Sequence, residues 1–191
     1  MKHKMLIPLE KNIERFAGEA VSKKVMEGSE EITEKTDKKK VALWTKGAME
    51  RFGSLVDEKT RIQIMNNCGS NCAEINKRVI QKAIDRRKKH KTIEDFLKAE
   101  QEKPQRGTKI IRDGNQLFHI YTPQAFTFPM RCYCGLLRAL PKDATVSPTY
   151  CHCSEGFIKK YWESILERPV KVELMHSAIS GASECKFAVQ L

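Results

Sequence analysis

The sequence predicts an α+β protein in which N-terminal helices precede a β-hairpin, a helix and a second β-hairpin, with a Cys-rich loop between the hairpins. Apolar residues recur at helical spacing up to about residue 107. Beyond that point they alternate as in strands, around Asp113-Gly114 and again around Ser180-Gly181. An amphipathic helical pattern separates the two alternating stretches. Together these patterns indicate helices packed on a roughly four-stranded antiparallel sheet.

The first helices follow from the spacing of apolar residues. One helix is expected over residues 9–27 and another over 41–53, with Gly53 ending the second. The charge-dense stretch between them predicts a linker or an exposed helix end. Residues 1–40 are therefore predicted to form an N-terminal helix with a charged linker, ahead of a single α+β domain over 41–191.

Capping residues place the helices that complete the part up to residue 107. Asp57 is expected to cap a helix that Gly69 breaks, and Ser70 or Asn71 to cap the next one. Thr92 is expected to begin a short helix that ends before residue 104.

The part over 108–191 is predicted to hold the sheet and the Cys-rich loop. Ser154 is expected to cap its helix, and Pro169 to close it. The inward face of that helix is predicted to carry four residues: Phe157, Ile158, Trp162 and Ile165.

Composition limits the classes of function. The 191 residues are 40% hydrophobic and 31% charged, with a formal net charge of +11, which is typical of a globular chain. The basic runs 37–40 and 85–91 raise nucleic-acid binding, but the second lies at a predicted helix C-terminus and no aromatic residues interleave with it. We therefore expect no nucleic-acid partner. No apolar run is long enough to cross a bilayer and no secretory signal is evident, so a cytoplasmic location is predicted.

The cysteines carry the strongest chemical signal. Six of the seven fall into three close pairs: Cys68 and Cys72, Cys132 and Cys134, and Cys151 and Cys153. In a reducing compartment such pairs indicate metal ligands or redox groups before disulfides, and an odd count excludes complete pairing. Cys185 alternates with apolar neighbours and is expected in the core.

Spacing favours a metal shell of four thiolates. In an extended segment Cys-x-Cys presents both sulfurs on one side, so Cys132, Cys134, Cys151 and Cys153 are the preferred ligands. Cys68 and Cys72, on one helix face or at a helix corner, could replace one pair. Zinc is the favoured metal and an iron–sulfur cluster the alternative. A helix beginning at Ser154 would also lower the pKa of the thiols before it, which leaves a nucleophilic role open.

Three histidines are weaker candidates. His152 could replace one thiolate, but in an extended segment it would point away from the sulfurs. His119 and His176 are expected to be sheet residues, with a satisfied ring at His119.

Two segments also carry a resemblance to a known family. The C-terminal pattern runs from Trp162 through "RPVKVEL" to Gly181 and Cys185-x-Phe187, and "RIQIMNNCGSNCA" precedes it. Together they resemble the L-2-amino-thiazoline-4-carboxylic acid hydrolase-like group of the 4-vinyl reductase-like small-molecule-binding domains. The resemblance covers about half the chain and implies an α+β sheet with helices around a pocket, often with a cysteine-bound metal nearby.

The function predicted from these observations is a cytoplasmic zinc-binding protein with a small-molecule pocket and a sensor or binding role. The alternatives are an iron–sulfur protein, or a hydrolase or thiol-dependent enzyme that uses Cys68, Cys72 or Cys153 on a small heterocyclic or amide substrate. A small-molecule ligand is the expected partner, no membrane is expected, and a homodimer is one arrangement in which the chain could act.

Overall fold

The computed structural model describes residues 2–123 and 130–191, and this part holds seven α-helices and one four-stranded sheet. The helices and strands follow in the predicted order of helices, hairpin, helix and hairpin, which confirms the α+β class. Their bounds are α1 Leu6–Ala17, α2 Glu19–Val25, α3 Lys38–Leu55, α4 Glu58–Ile75, α5 Lys77–Arg87, α6 Ile93–Glu102, β1 Thr108–Asp113, β2 Gln116–Tyr121, α7 His152–Leu166, β3 Lys171–His176 and β4 Cys185–Gln190.

The helix expected over 9–27 is two helices. Gly18 joins α1 to α2 with a φ of 90°, which glycine adopts without the steric cost that a side chain would bring. α3 then begins at Lys38 and is capped by Asp37, whose carboxylate accepts hydrogen bonds from the backbone N–H groups of Lys39 and Lys40.

α4 corrects the prediction of a break at Gly69. Asp57 caps the helix as expected, but α4 continues through Gly69 to Ile75, so neither Ser70 nor Asn71 begins a new helix. The glycine is present because α7 crosses there: a Cβ at Gly69 would lie 2.0 Å from the carbonyl oxygen of Cys153. Gly156 of α7 is the counterpart, since its Cβ would lie 2.2 Å from the Asn66 carbonyl oxygen. Two glycines therefore allow α4 and α7 to pack backbone against backbone.

The sheet confirms the two predicted hairpin pairs. The four strands are antiparallel in the order β1-β2-β4-β3. Asp113 pairs with Gln116, so the tight turn falls where the Asp-Gly signal places it. β3 and β4 also pair, but residues 177–184 connect them through a short 3₁₀ helix, Ala178–Ser180, rather than a tight turn.

Two hydrophobic cores lie on either side of the α4–α7 crossing. The first core joins α1 to α4 with the Cys-rich loop and includes Leu6, Ile13, Phe52, Leu137 and Tyr150. The second core fills the space between the sheet and α5 to α7; it includes Phe96, Leu117, Trp162 and Phe187. Because α1 contributes to the first core, residues before 40 pack on the rest of the chain, while the predicted division at residue 40 stays a prediction.

Within the described ranges, no helix combines the length and the apolar character that crossing a membrane requires. The cytoplasmic location stays a prediction, as does the homodimer.

Candidate functional site

All seven cysteines are free, and they converge where α4, the Cys-rich loop and α7 meet. The group of seven is called the thiol cluster below. Cys153 lies near its middle, since four other thiols interact with it electrostatically: Cys134, Cys68, Cys72 and Cys132. Cys151 and Cys185 adjoin the same group through Cys132. The six cysteines selected from the sequence are thus brought together, and Cys185, expected only to fill the core, lies beside them.

Cys68 and Cys72 lie on one face of α4 because the helix is continuous between them. Of the two geometries predicted for this pair, the shared helix face is correct and the helix corner is wrong. Each sulfur accepts a hydrogen bond from an asparagine amide, with Asn12 Nδ2 at 3.6 Å from Cys68 and Asn76 Nδ2 at 3.3 Å from Cys72.

Cys151 and Cys153 do not have the extended geometry that the sequence predicts. A 3₁₀ turn, Pro148–Cys151, leads directly into α7, which begins at His152, so Ser154 is inside the helix rather than its cap. Residues two apart on a helix point about 200° apart around its axis. Cys151 therefore contacts the hydroxyl of Ser177 at 2.8 Å, while Cys153 lines a cavity on the other side.

The cavity lies at the edge of the first core, where α1 and α4 meet the Cys-rich loop and α7. Its enclosed part measures about 20 Å³, within a depression of about 330 Å³ that opens to solvent. Thiols, thioethers and one phenol supply its functional groups, and the hydroxyl of Tyr150 lies 3.1 Å from Cys134 Sγ. The lining residues are Met5, Pro8, Leu9, Met65, Cys68, Cys134, Leu136, Tyr150 and Cys153.

Burial keeps most of these thiols protonated. Desolvation raises the pKa of Cys68 to about 12 and that of Cys72 to about 11, and it raises the pKa of Cys153 well above its ordinary value. Cys185 behaves differently, because the Cys151 thiol donates a hydrogen bond to its sulfur and lowers its pKa. The three thiols considered as nucleophiles therefore lack the depressed pKa that such a role needs.

The prediction of zinc, or of an iron–sulfur cluster, is wrong. Across residues 2–123 and 130–191, no group of three or more His, Cys, Asp or Glu side chains is placed so that it could hold a metal ion. The physical reason lies in the helical start of α7: Cys151 and Cys153 diverge, so the two Cys-x-Cys pairs do not face each other as a set of four. The importance of the six cysteines as site residues stays a prediction.

Glu155 is an organising residue that the sequence analysis did not select. Its carboxylate accepts hydrogen bonds from Asn66 Nδ2 at 3.1 Å and from the backbone N–H of Leu174 at 3.0 Å, and lies 2.9 Å from His152 Nδ1. Burial alone would raise the pKa of Glu155, but the bonds from His152 and Asn66 outweigh it and leave the pKa below its ordinary value. The His-x-x-Glu spacing, which places both side chains on one helix face, was the available signal.

A second polar network crosses the second core. Trp162 Nε1 donates to His119 Nδ1 at 3.1 Å, and Arg86 binds both Glu100 and the hydroxyl of Tyr161. Since Nδ1 accepts, His119 carries its proton on Nε2, and that buried N–H has no hydrogen-bond partner among the described residues. Desolvation lowers the pKa of His119 to about 4. The expectation of a satisfied ring thus holds at Nδ1 and fails at Nε2.

Comparison with known proteins defines the family. Residues 2–191 match a family of unknown function, DUF6144. The chain belongs to this family. No curated protein matches the sequence.

Solved structures show the fold. An H-NOX domain from Shewanella oneidensis in the Fe(II)CO ligation state has a TM-score of 0.50 and 13% identity, with 100% of this chain and 98% of that chain covered. A mutant H-NOX protein from S. oneidensis in the Fe(II) ligation state has a TM-score of 0.49 and 13% identity, with 100% of this chain and 96% of that chain covered. An Fe(II) unliganded H-NOX mutant from K. algicida has a TM-score of 0.48 and 13% identity, with the same coverage of the two chains, 100% and 96%. The first of these likenesses shows that the DUF6144 chain has an H-NOX-like fold.

These findings overturn the predicted resemblance to the L-2-amino-thiazoline-4-carboxylic acid hydrolase-like and 4-vinyl reductase-like proteins. The family matched over residues 2–191 is DUF6144, and the solved structure with a TM-score of 0.50 is an H-NOX domain. The segments that carried the resemblance are explained by packing: Gly69 lies at the crossing with α7, and Trp162 and Phe187 fill the second core.

Proposed function

We propose that this chain is a small-molecule-binding domain with a sensing role, and that its ligand lies in the cavity lined by Cys68, Cys134 and Cys153. The observation that carries the proposal is the cavity itself, which reaches the thiol cluster and opens to solvent. A concave, mostly apolar site with a few converging polar groups is the usual form of a small-molecule site.

The lining defines the chemistry of the ligand. Met5, Leu9, Met65 and Leu136 favour an apolar body, while the hydroxyl of Tyr150 offers one hydrogen-bonding group. No charged side chain is among the described residues that line the cavity, so a charged ligand would lose its hydration without compensation. The enclosed volume of about 20 Å³ suits a ligand, or the end of a ligand, of only a few atoms.

A sensing role is supported by where the cavity lies. Cys153 is in the first turn of α7, and the same helix contributes Trp162 and Ile165 to the second core. α7 also packs against α4 through the two glycines, with no flexible side chains between the backbones. A ligand that contacts Cys153 therefore contacts a rigid element shared by both cores, which is where a small shift would be transmitted.

The iron(II) named for the H-NOX structures does not fit the residues described here. No histidine lines the cavity, and the only fully buried histidine, His119, uses Nδ1 to accept from Trp162 and so keeps its proton on Nε2. The enclosed space is also far below the roughly 300–1,000 Å³ of a typical cofactor pocket. The ligand we propose is therefore a small organic molecule rather than an iron group.

The proposal is tested by NMR on protein with ¹³C-labelled methionine methyl groups. Met5 and Met65 line the cavity, whereas Met175 is exposed on β3 and serves as the internal control. We expect dimethyl sulfide and ethanol to shift the Met5 and Met65 signals in a saturable way, and methylammonium, of similar size but charged, to leave them unchanged.

A matched pair of variants locates the binding. Leu136→Trp fills the cavity and should abolish the shifts, whereas Leu55→Trp, at an exposed position on α3, should preserve them. Shifts that survive Leu136→Trp, or that appear equally at Met175, would place binding elsewhere and overturn the proposal.

A further inference from the structure

A second feature of the thiol cluster lies away from the cavity, between α7 and β4. Cys151 ends the 3₁₀ turn before α7, and Cys185 is the first residue of β4. Two successive residues hold their sulfurs: Cys151 Sγ lies 2.8 Å from Ser177 Oγ, and the backbone N–H of Ala178 donates to Cys185 Sγ at 3.3 Å. A hydrogen bond from the Cys151 thiol is the main cause that lowers the pKa of Cys185.

We propose that Cys151 and Cys185 form a disulfide when the protein meets a water-sized two-electron oxidant of the peroxide class. Ser177 and Ala178 are neighbours in the chain and hold the two sulfurs side by side, so forming a disulfide bond of about 2.05 Å requires the two side chains to turn toward each other. This oxidation site is independent of the ligand proposed for the cavity.

The hydrogen bonds assign different roles to the two sulfurs. Cys185 Sγ accepts from Ala178 N–H and from the Cys151 thiol, and two donors stabilise negative charge on that sulfur. Cys185 therefore attacks hydrogen peroxide and becomes a sulfenic acid, while the second peroxide oxygen leaves as hydroxide and takes up the thiol proton as water. The Cys151 sulfur then attacks the sulfenic sulfur, and the sulfenic oxygen leaves as water with the proton of the Cys151 thiol.

The overall reaction is balanced. Two thiols and one hydrogen peroxide give one disulfide and two waters; both sulfurs are oxidised by one electron each, and peroxide is reduced by two. Dithiothreitol reverses the change by thiol–disulfide exchange, which distinguishes the disulfide from the sulfinic and sulfonic acids.

Burial makes the site selective for a small oxidant. Cys151 is 3% exposed and Cys185 is 7% exposed, so an alkylating reagent such as iodoacetamide has little access to either in the folded protein. Cys72 and Cys134 are more exposed and provide a comparison within the same molecule. The structure therefore predicts that the buried pair resists iodoacetamide, yet yields the main reversible product with peroxide.

The test uses the full chain, reduced and then exposed to hydrogen peroxide. The remaining thiols are alkylated after unfolding, and tryptic peptides are analysed by mass spectrometry without reduction. The expected product links the peptide that contains Cys185 to residues 143–159, with a loss of two hydrogens. Because Cys151 and Cys153 share that tryptic peptide, the Cys153→Ser variant assigns the link: it should retain the product if Cys151 is the partner.

Two further variants test whether Cys151 is the partner of Cys185. Cys151→Ser should abolish the linked peptide, and Cys72→Ser, at a half-buried position on α4, should leave it unchanged; circular dichroism checks that each variant folds. Peroxide treatment that oxidises other cysteines while Cys151 and Cys185 remain reduced would overturn the proposal. A linked product in which Cys153 or Cys132 replaces Cys151 would also overturn it.

Discussion

The second core binds its buried polar groups into a network, whereas in the first core the thiols have weak partners and border a cavity. Arg86, Glu100 and Tyr161 are joined by charge-assisted hydrogen bonds, and Trp162 donates to His119. Among the thiols of α4, the asparagine–sulfur contacts of 3.6 Å and 3.3 Å are longer than nitrogen–oxygen bonds and involve weak acceptors. The difference indicates that the second core fixes the sheet against its helices, while the first core keeps space beside its thiols.

Gly69→Ala tests whether the two cores are independent. Its Cβ would meet the carbonyl oxygen of Cys153 at 2.0 Å, and a backbone atom cannot move aside without separating α4 from α7. We expect a loss of about 3 kcal/mol or more in the free energy of unfolding, with both cores unfolding together. Denaturant unfolding measures this free energy and shows whether the two cores unfold in one transition.

Gly53→Ala is the matched control for that substitution. Gly53 lies inside α3, and a Cβ there would meet nothing within 4 Å. This variant should gain up to about 1 kcal/mol from helix propensity. Equal effects at the two glycines would show that the crossing is not close-packed.

The pH dependence of stability tests the second core alone. The pKa of His119 falls from 6.5 to about 4 on folding because its ring is desolvated. Above pH 6.5 the ring is neutral in both states and has no effect. Between pH 6.5 and 4 the unfolded state binds the proton and the folded state does not. The free energy of unfolding therefore decreases as the pH falls through this range, by up to about 1.4 kcal/mol per pH unit.

Denaturant titrations across that pH range measure the slope, with His119→Gln as the comparison variant. Glutamine can still accept from Trp162 but does not titrate, so the slope should become shallower. An unchanged slope in His119→Gln would show that another group is responsible.

Glu100→Gln sharpens the comparison between a buried and an exposed ion pair. The Glu100 side chain is only 9% exposed, and losing its charge leaves Arg86 with a weakened partner. We expect a loss of about 2 kcal/mol. Glu50→Gln, which weakens an exposed pair with Lys46, should cost at most a few tenths of a kcal/mol. Losses of equal size would show that burial does not make the Arg86–Glu100 pair stronger than the exposed Lys46–Glu50 pair.

A pair of hydroxyl deletions compares the two cores directly. Tyr161→Phe removes an acceptor from the charged Arg86, and about 2 kcal/mol should be lost. Tyr150→Phe removes only a contact with the sulfur of Cys134, and we expect a loss of about 0.5–1 kcal/mol. A larger loss at Tyr150 would mean that the thiol cluster is better bonded than its geometry indicates.

Local patterns predicted much of the fold. The Asp57 and Thr92 caps and the Asp113-Gly114 turn depend on neighbouring residues only, and the structure confirms all three. The prediction of a helix break at Gly69 was wrong because the glycine is needed for close packing against α7, which is distant in sequence.

The site was predictable in location but not in geometry. The spacing of the cysteines identified them as site residues. Whether Cys151 and Cys153 point in the same direction depends on where α7 begins, and sequence patterns define a helix start only to within a few residues. A pocket was predicted, but its lining was not, because Leu9 of α1 and Met5 just before that helix have no sequence pattern that links them to the cysteines.

Crystals of the reduced protein pressurised with xenon give the most direct test of the proposed ligand site. Xenon binds small apolar cavities and is visible by its anomalous scattering. We predict xenon in the cavity beside Met5, Met65 and Cys153, and none in the second core around Trp162. Xenon only in the second core, or no xenon beside Cys153, would contradict the assignment of the ligand site to the first core.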